Sequence, residues 1–113
     1  MLFMLRSARL LLVVGAAILL PAYPALAGPA AQAVQIRNFA FVPAVVTVKA
    51  GTTVTWTNAD EDPHTVTATG KAFHSVALDT GGKYSFTFTR PGEFAYFCSL
   101  HPHMMGKIVV RPS

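Results

Sequence analysis

The sequence predicts an all-β fold, a Greek-key sandwich or barrel of about seven strands, preceded by an export leader. Short runs rich in β-branched and aromatic residues alternate between apolar and polar side chains, which is typical of strands with one buried face. Turn-forming residues separate these runs, and no useful length of helical periodicity follows the leader. Several short strands at regular spacing favour a sandwich or barrel.

The strands are predicted from local alternation, which is clearest in residues 53–57 and 84–89. The complete set, in chain order, is residues 34–41, 45–49, 53–57, an apolar run restarting at Val66, 84–89, 94–98 and 107–111. Trp56 and Tyr96 are expected in the core, and the Tyr96 hydroxyl could also hydrogen-bond the backbone across a corner of the sandwich.

Glycine-containing pairs indicate where the chain turns. Gly81 and Gly82 can take positive φ in a tight hairpin, and Pro91 with Gly92 fits the centre of a type II turn. Ala50 with Gly51 closes another turn. These positions bound the strands on either side.

Residues 1–27 are predicted to be a secretory signal peptide. Arg6 and Arg9 provide its positive region, residues 10–20 its apolar run, and residues 25–27 (Ala-Leu-Ala) its cleavage pattern. The apolar run is well short of the roughly 20 residues that a membrane-spanning helix needs. We therefore expect cleavage after Ala27 and a single domain, residues 28–113, that is soluble in the periplasm.

Charge and cysteine content limit the classes of function that the domain can have. Without Arg6 and Arg9 the domain keeps seven basic and five acidic residues, a net charge of +2, and these are scattered without a basic run. This argues against a nucleic-acid partner. Cys98 is the only cysteine, so no internal disulfide can form, and a bound metal is one explanation for a lone thiol in an oxidising compartment.

The residues that carry chemistry lie in one short segment, Cys-Ser-Leu-His-Pro-His-Met-Met-Gly, between the last two predicted strands. It offers a thiolate, two imidazoles and two thioethers. One cysteine and two histidines with a weak axial methionine form the donor set of blue copper sites. The loop can supply Cys98, one histidine and a methionine, so a second equatorial histidine must come from elsewhere. His64, after Pro63 at a predicted strand end, is the natural candidate.

In these residues the chain resembles the cupredoxin family, most closely its amicyanin-like and plastocyanin-like members. The resemblance extends over the mature domain through residues 54–58, the Pro63-His64 pair, residues 86–88, 91–92, 96–98 and 106–110. It implies His64, Cys98, His101 and Met104 as ligands of one copper ion. The spacing Cys-x-x-His-x-x-Met is similar to the short amicyanin-type loop.

Two departures from the family pattern stand out. Thr65 follows the first histidine where such relatives typically have asparagine, which helps to tie the two ligand-bearing segments together. His103 and Met105 are additional donors, and His103 would give an azurin-like Cys-x4-His pair, but Lys107 then stands where a methionine is expected. We favour His101 with Met104 and interpret His103 and Met105 as rim residues.

The remaining histidine and the acidic run are not expected to bind metal. His74 lacks ligand-like neighbours and is expected at the surface. The acidic run Asp60, Glu61 and Asp62 is interpreted as a solvated turn between strands.

The resemblance implies a non-enzymatic carrier of single electrons, a monomer with no small-molecule substrate, which meets its redox partners transiently. In such proteins the histidine that corresponds to His101 is the electron port, here ringed by Pro102, His103 and Met105. A periplasmic copper buffer or delivery protein is the alternative. A copper enzyme is the least favoured because the further histidine-rich motifs of a catalytic cluster are lacking.

Overall fold

The computed structural model describes residues 8–23 and 30–113. Residues 8–23 contain no helix or strand, and their apolar side chains are exposed. The predicted cleavage pattern at residues 25–27 lies outside the described residues. Within the described part of the chain, no helix is long and apolar enough to span a membrane.

The fold is an all-β sandwich of two four-stranded sheets, which confirms the predicted class. Eight strands build it: β1 (Ala31–Arg37), β2 (Ala40–Val42), β3 (Val45–Lys49), β4 (Thr52–Asn58), β5 (Thr67–Ala68), β6 (Lys83–Phe88), β7 (Gly92–Phe97) and β8 (Met105–Arg111). The first sheet has the order β2-β1-β4-β6 and the second the order β3-β8-β7-β5. The β1–β4 and β3–β8 pairs are parallel and the others antiparallel.

Two local predictions were wrong. The run 34–41 is not one strand, because the chain turns at Asn38 and Phe39, which have φ values of 52° and 56°, and returns as β2. Gly81 does take a positive φ of 79°, and Gly82 N–H donates to Asp79 O at 2.7 Å. This turn leads into β6 from a long loop, however, and does not join two paired strands.

The core lies between the sheets and is centred on aromatic rings. Trp56 and Tyr96 are fully buried, as expected, with ring centroids 5.4 Å apart in a T-shaped arrangement. The Tyr96 hydroxyl is buried and makes no hydrogen bond within the described residues, so of the two alternatives core packing is observed and the corner bond is not. Burial raises the pKa of Tyr96 to about 12.

Gly106 lies under the Tyr96 ring. The two residues are cross-strand partners in β7 and β8, and a Cβ at Gly106 would overlap Tyr96 Cζ. Glycine is needed here because the tyrosine ring occupies the space of a side chain. Gly106 itself lies within β8, not in a turn.

Candidate metal centre

Three side chains from two separate segments meet at one end of the sandwich. His64 lies in residues 60–65, which we call the histidine segment, and Cys98 and His101 lie in residues 98–104, the ligand loop. Cys98 Sγ is 3.7 Å from His64 Nδ1 and 3.7 Å from His101 Nδ1. The three atoms lie within 4.8 Å of one another, and they are the one such group of histidine, cysteine or acidic side chains in the described residues.

These distances fit a metal ion held between the three atoms. With metal–sulfur and metal–nitrogen bonds of about 2.3 and 2.0 Å, a bond angle near 115° separates sulfur from nitrogen by about 3.6 Å. The donor set therefore fits a soft, nearly trigonal site, for which copper is the characteristic ion.

The ligand loop consists of two successive tight turns. His101 N–H donates to Cys98 O at 3.2 Å, and Met104 N–H donates to His101 O at 2.9 Å. Cys98 N–H closes the loop by donating to Met104 O at 3.1 Å. Each turn advances the chain by three residues, which explains the spacing of Cys98, His101 and Met104.

The two neighbouring methionines have opposite environments. Met104 is 2% exposed and belongs to the core, whereas Met105 is 69% exposed at the start of β8. Met104 can therefore contribute to a buried site, and Met105 is at the surface. The assignment of Met104 as the fourth ligand stays a prediction.

His64 is fully buried and held by bonds on its backbone and its ring. Its backbone exchanges two hydrogen bonds with Leu78, at 3.1 and 2.7 Å. Its Nε2 is 2.8 Å from Asp60 Oδ2. An ionised carboxylate only accepts hydrogen bonds, so Nε2 carries the proton and Nδ1 is left with a free lone pair facing Cys98.

Asp60 is the residue that sequence reasoning missed. Besides contacting His64, its carboxylate accepts the N–H groups of Asn38 at 2.7 Å and Phe39 at 2.9 Å. Burial raises the pKa of Asp60, but these amides and His64 outweigh it and hold the pKa below its ordinary value. Its position four residues before His64 is the only hint in the sequence, and outside a helix such a spacing does not distinguish a bonded carboxylate from a solvated one. Glu61 and Asp62 are exposed, as expected of a turn.

Thr65 joins the histidine segment to the ligand loop. Its hydroxyl accepts the Ser99 N–H at 2.7 Å and lies 2.8 Å from Ser99 Oγ, while its N–H donates to Cys98 Sγ at 3.3 Å. The hydroxyl therefore links the two segments where asparagine does so in the relatives. The bond to sulfur stabilises negative charge on the thiol group.

The other sequence candidates lie outside this group. His74 is exposed, as expected, and His103 is exposed beside the ligand loop, with its ring centroid 6.4 Å from that of His101. His101 itself is half-buried. The outer end of the site therefore consists of His101 and its exposed neighbours Pro102 and His103.

A thiol and two imidazoles gathered at one end of a two-sheet sandwich define a mononuclear metal-binding protein of the all-β class. The family model of the cupredoxin-like domain matches residues 9–110. The chain therefore belongs to the cupredoxin family, as the sequence motifs suggested.

Known relatives agree with this assignment. Amicyanin of Paracoccus versutus is 36% identical over 86 residues, which cover 72% of this chain and 65% of the relative, just under two thirds of its length. Amicyanin-alpha of Methylorubrum extorquens is 37% identical over 83 residues, covering 69% and 70%. Chloroplastic plastocyanin of Tetradesmus obliquus is 37% identical over 84 residues, covering 63% and 58%.

Solved structures show the same similarity. An amicyanin variant in the Cu(I) form has a TM-score of 0.68 at 35% identity, covering 72% of this chain and 82% of the other. A purple cupredoxin from Nitrosopumilus maritimus has a TM-score of 0.67 at 29% identity, covering 71% and 99%.

Proposed function

We propose that this domain is a blue copper protein that holds one copper ion and carries single electrons between redox partners. The observation that carries the proposal is the placement of Cys98 Sγ at 3.7 Å from both His64 Nδ1 and His101 Nδ1. His64, Cys98 and His101 are the proposed equatorial ligands, and Met104 is the proposed axial ligand. When bound there, copper supplies a one-electron couple between Cu(I) and Cu(II).

The protein's contribution is to keep the donor atoms in place during the exchange. Asp60 holds the tautomer of His64, and Thr65 ties Cys98 to the histidine segment. Little rearrangement of the ligands then accompanies a change of charge at the site. Four protein ligands, three buried and His101 half-buried, would leave little room for a substrate, so we propose a carrier and not an enzyme.

The half-buried His101 is the proposed route for electrons. Its surroundings at the surface are largely uncharged and include the exposed Phe39, Leu100, Pro102 and Met105. An apolar groove of about 520 Å³ lies beside Pro102 and Met105. With a net charge of only +2, we infer that contacts with redox partners are weak and mainly apolar, made by a monomer.

We also propose that the domain is exported to the periplasm after removal of residues 1–27. The support is the arginine-flanked apolar run and the Ala-Leu-Ala pattern at residues 25–27. Intact mass of the periplasmic protein should give a chain that begins at Gly28. A soluble fraction that keeps Met1 would contradict the proposed cleavage.

The copper proposal is tested by loading the purified domain with Cu(II). We expect an intense visible charge-transfer band from the Cys98 thiolate and a narrow parallel hyperfine splitting. Cys98→Ser should remove both, and His74→Gln, which changes an exposed histidine outside the group, should keep both. A wild-type protein that binds Cu(II) and stays colourless would contradict the blue copper assignment.

Zinc is not an adequate probe because imidazole and thiolate bind it as well. Voltammetry separates the carrier from the copper-delivery alternative, for which the exposed His103 and Met105 are spare donors. Reversible cycling with fast electron self-exchange supports the carrier. Transfer of the ion itself to a metal-free acceptor, without reversible cycling, supports delivery.

A further inference from the structure

The turn between β1 and β2 contains a phenylalanine, Phe39, in a backbone conformation that this residue rarely adopts. Two residues, Asn38 and Phe39, connect the strands, and both have positive φ, at 52° and 56°. Two consecutive positive φ values are the pattern of a type I′ hairpin turn, for which Asn-Gly is the favoured sequence. Asparagine fits its position, but a bulky aromatic residue in the glycine position is a conformational outlier. Such outliers persist where the surrounding structure enforces them, often beside functional sites.

Asp60 enforces this conformation. Its two carboxylate oxygens accept the N–H groups of Asn38 and Phe39, at 2.7 and 2.9 Å, and one of them also contacts His64 Nε2 at 2.8 Å. The turn is thus fixed to the same carboxylate that orients a proposed ligand. The backbone of Phe39 is placed relative to the metal centre by direct hydrogen bonds.

The Phe39 ring lies against both proposed histidine ligands. Its centroid is 5.2 Å from that of His64 at an interplanar angle of 89°, and 5.1 Å from that of His101 at 87°. Both are T-shaped contacts, which are favourable for aromatic rings at this separation. The ring remains 43% exposed, so it covers the site from the solvent side and is not a core residue.

The two histidines differ in how much they depend on this ring. His64 is already held by Asp60 and Leu78, whereas His101 lies in a loop stabilised by its own turns. In the described part of the chain no hydrogen bond reaches the outer nitrogen of His101. The Phe39 ring therefore restrains the His101 ring from the solvent side, whereas the buried Cys98 thiol contacts the other side of that ring.

We propose that Phe39 is a positioning residue for the metal centre: the Asp60-anchored turn presses its ring against both imidazoles and keeps His101 oriented towards Cys98. This inference rests on the proposed copper-carrier function. It accounts for the aromatic residue in a glycine position, because glycine would suit the turn but would leave His101 without this contact.

The test compares three variants of the full domain. Phe39→Gly removes the ring and suits the left-handed backbone, Phe39→Leu removes the ring and keeps an apolar side chain, and Phe39→Tyr keeps the ring. We expect the Gly and Leu variants to release Cu(II) to a chelator about tenfold faster or more, in line with the loss of an outer partner of a ligand. Their reduction potentials should also move, whereas the Tyr variant should stay within twofold of wild type in release rate.

Thermal unfolding of the metal-free variants separates positioning from a purely structural role. Phe39→Gly relieves the turn, so its midpoint should lie above that of Phe39→Leu. If the residue acted through stability alone, copper release would follow that ranking. Equally accelerated copper release in the Gly and Leu variants supports positioning. Release rates within twofold of wild type and unchanged reduction potentials in both variants would overturn it.

A measurement without metal keeps this inference distinct from the proposed function. Proton NMR of the metal-free wild type should show cross-relaxation from the Phe39 ring to the rings of His64 and His101. Absence of this cross-relaxation would overturn the positioning role of Phe39 even if the copper-loaded protein is blue. Cross-relaxation in a protein that does not form the blue copper site would support the placement of Phe39 and contradict the carrier function.

Discussion

The histidine segment and the ligand loop bring their donors to the same point by different means. In the histidine segment, His64 and Thr65 are buried, and His64 is held by hydrogen bonds from its backbone to Leu78 and from its ring to Asp60 of the same segment. The ligand loop is short and held by its own two turns, with Pro102 and His103 in solvent. One histidine is thereby insulated and fixed, and the other is accessible. A site that must stay rigid and yet reach a partner needs both arrangements.

The largest effect on stability is expected at the start of β8, directly after the ligand loop. Gly106→Ala places a Cβ in the space of Tyr96 Cζ, and the Tyr96 ring is itself packed against Phe41 and Trp56. Overpacking of this kind should lower the free energy of unfolding by about 3 kcal/mol, the upper end of its usual range. Chemical denaturation of the metal-free domain measures the change.

Gly70→Ala is the matched control. A Cβ there meets no atom within 4 Å, so its effect should stay within about 0.5 kcal/mol. Equal stability of the two variants would mean that the Tyr96 ring can move aside, and that the exit of the ligand loop is less constrained than its contacts indicate.

The junction of the two segments gives the next largest effect. Thr65→Val removes the hydroxyl that accepts the Ser99 N–H, so this donor loses its partner and the unfolding free energy should fall by about 1 to 2 kcal/mol. Thr65→Ser keeps the hydroxyl and should retain most of the stability. The visible spectrum of the copper-loaded Val variant should also shift, because Cys98 is no longer tied through Ser99. Indistinguishable Val and Ser variants would show that the two segments are joined elsewhere.

Within the ligand loop, the buried and exposed methionines should differ in their effect on the reduction potential. If Met104 is the axial ligand, as proposed, Met104→Leu removes an electron-donating thioether that would stabilise Cu(II) more than Cu(I), so the potential should rise. Met105→Leu has a similar volume change at an exposed position and should leave the potential nearly unchanged. Voltammetry of the two variants decides between them. A large shift in Met105→Leu alone would reverse the assignment of the axial ligand.

The smallest effect is expected at the rim. His103→Gln changes an exposed ring whose centroid is 6.4 Å from that of His101, so copper stoichiometry and the visible band should be unchanged. Metal analysis after gel filtration, alongside the wild type, measures the stoichiometry. Loss of a second bound ion in the variant would instead support the copper-delivery alternative.

The sequence predicted the fold class from local patterns, and it predicted the meeting of His64 with Cys98 and His101 from the donor set of the ligand loop and the resemblance to the cupredoxin family. Alternation identified strands, and the three-residue spacing in the ligand loop follows from two successive turns. The role of Asp60 could not be predicted, since an acidic run after a strand has the same appearance whether it is solvated or accepts amides from a distant turn. The break at Asn38 and Phe39 was missed for the same reason, because phenylalanine is not a turn former and its conformation is enforced by Asp60.

The parallel pairing of β3 with β8 has a consequence for the order in which this protein assembles. Val45 pairs with Lys107, so roughly 60 residues must be enclosed before this half of the second sheet forms. Domains dominated by such distant contacts fold in milliseconds to seconds, slower than those with local contacts. The ligand loop directly precedes β8 and is positioned only when that strand docks. We therefore expect metal capture in the proposed geometry to follow the docking of β8, late in the maturation of the chain.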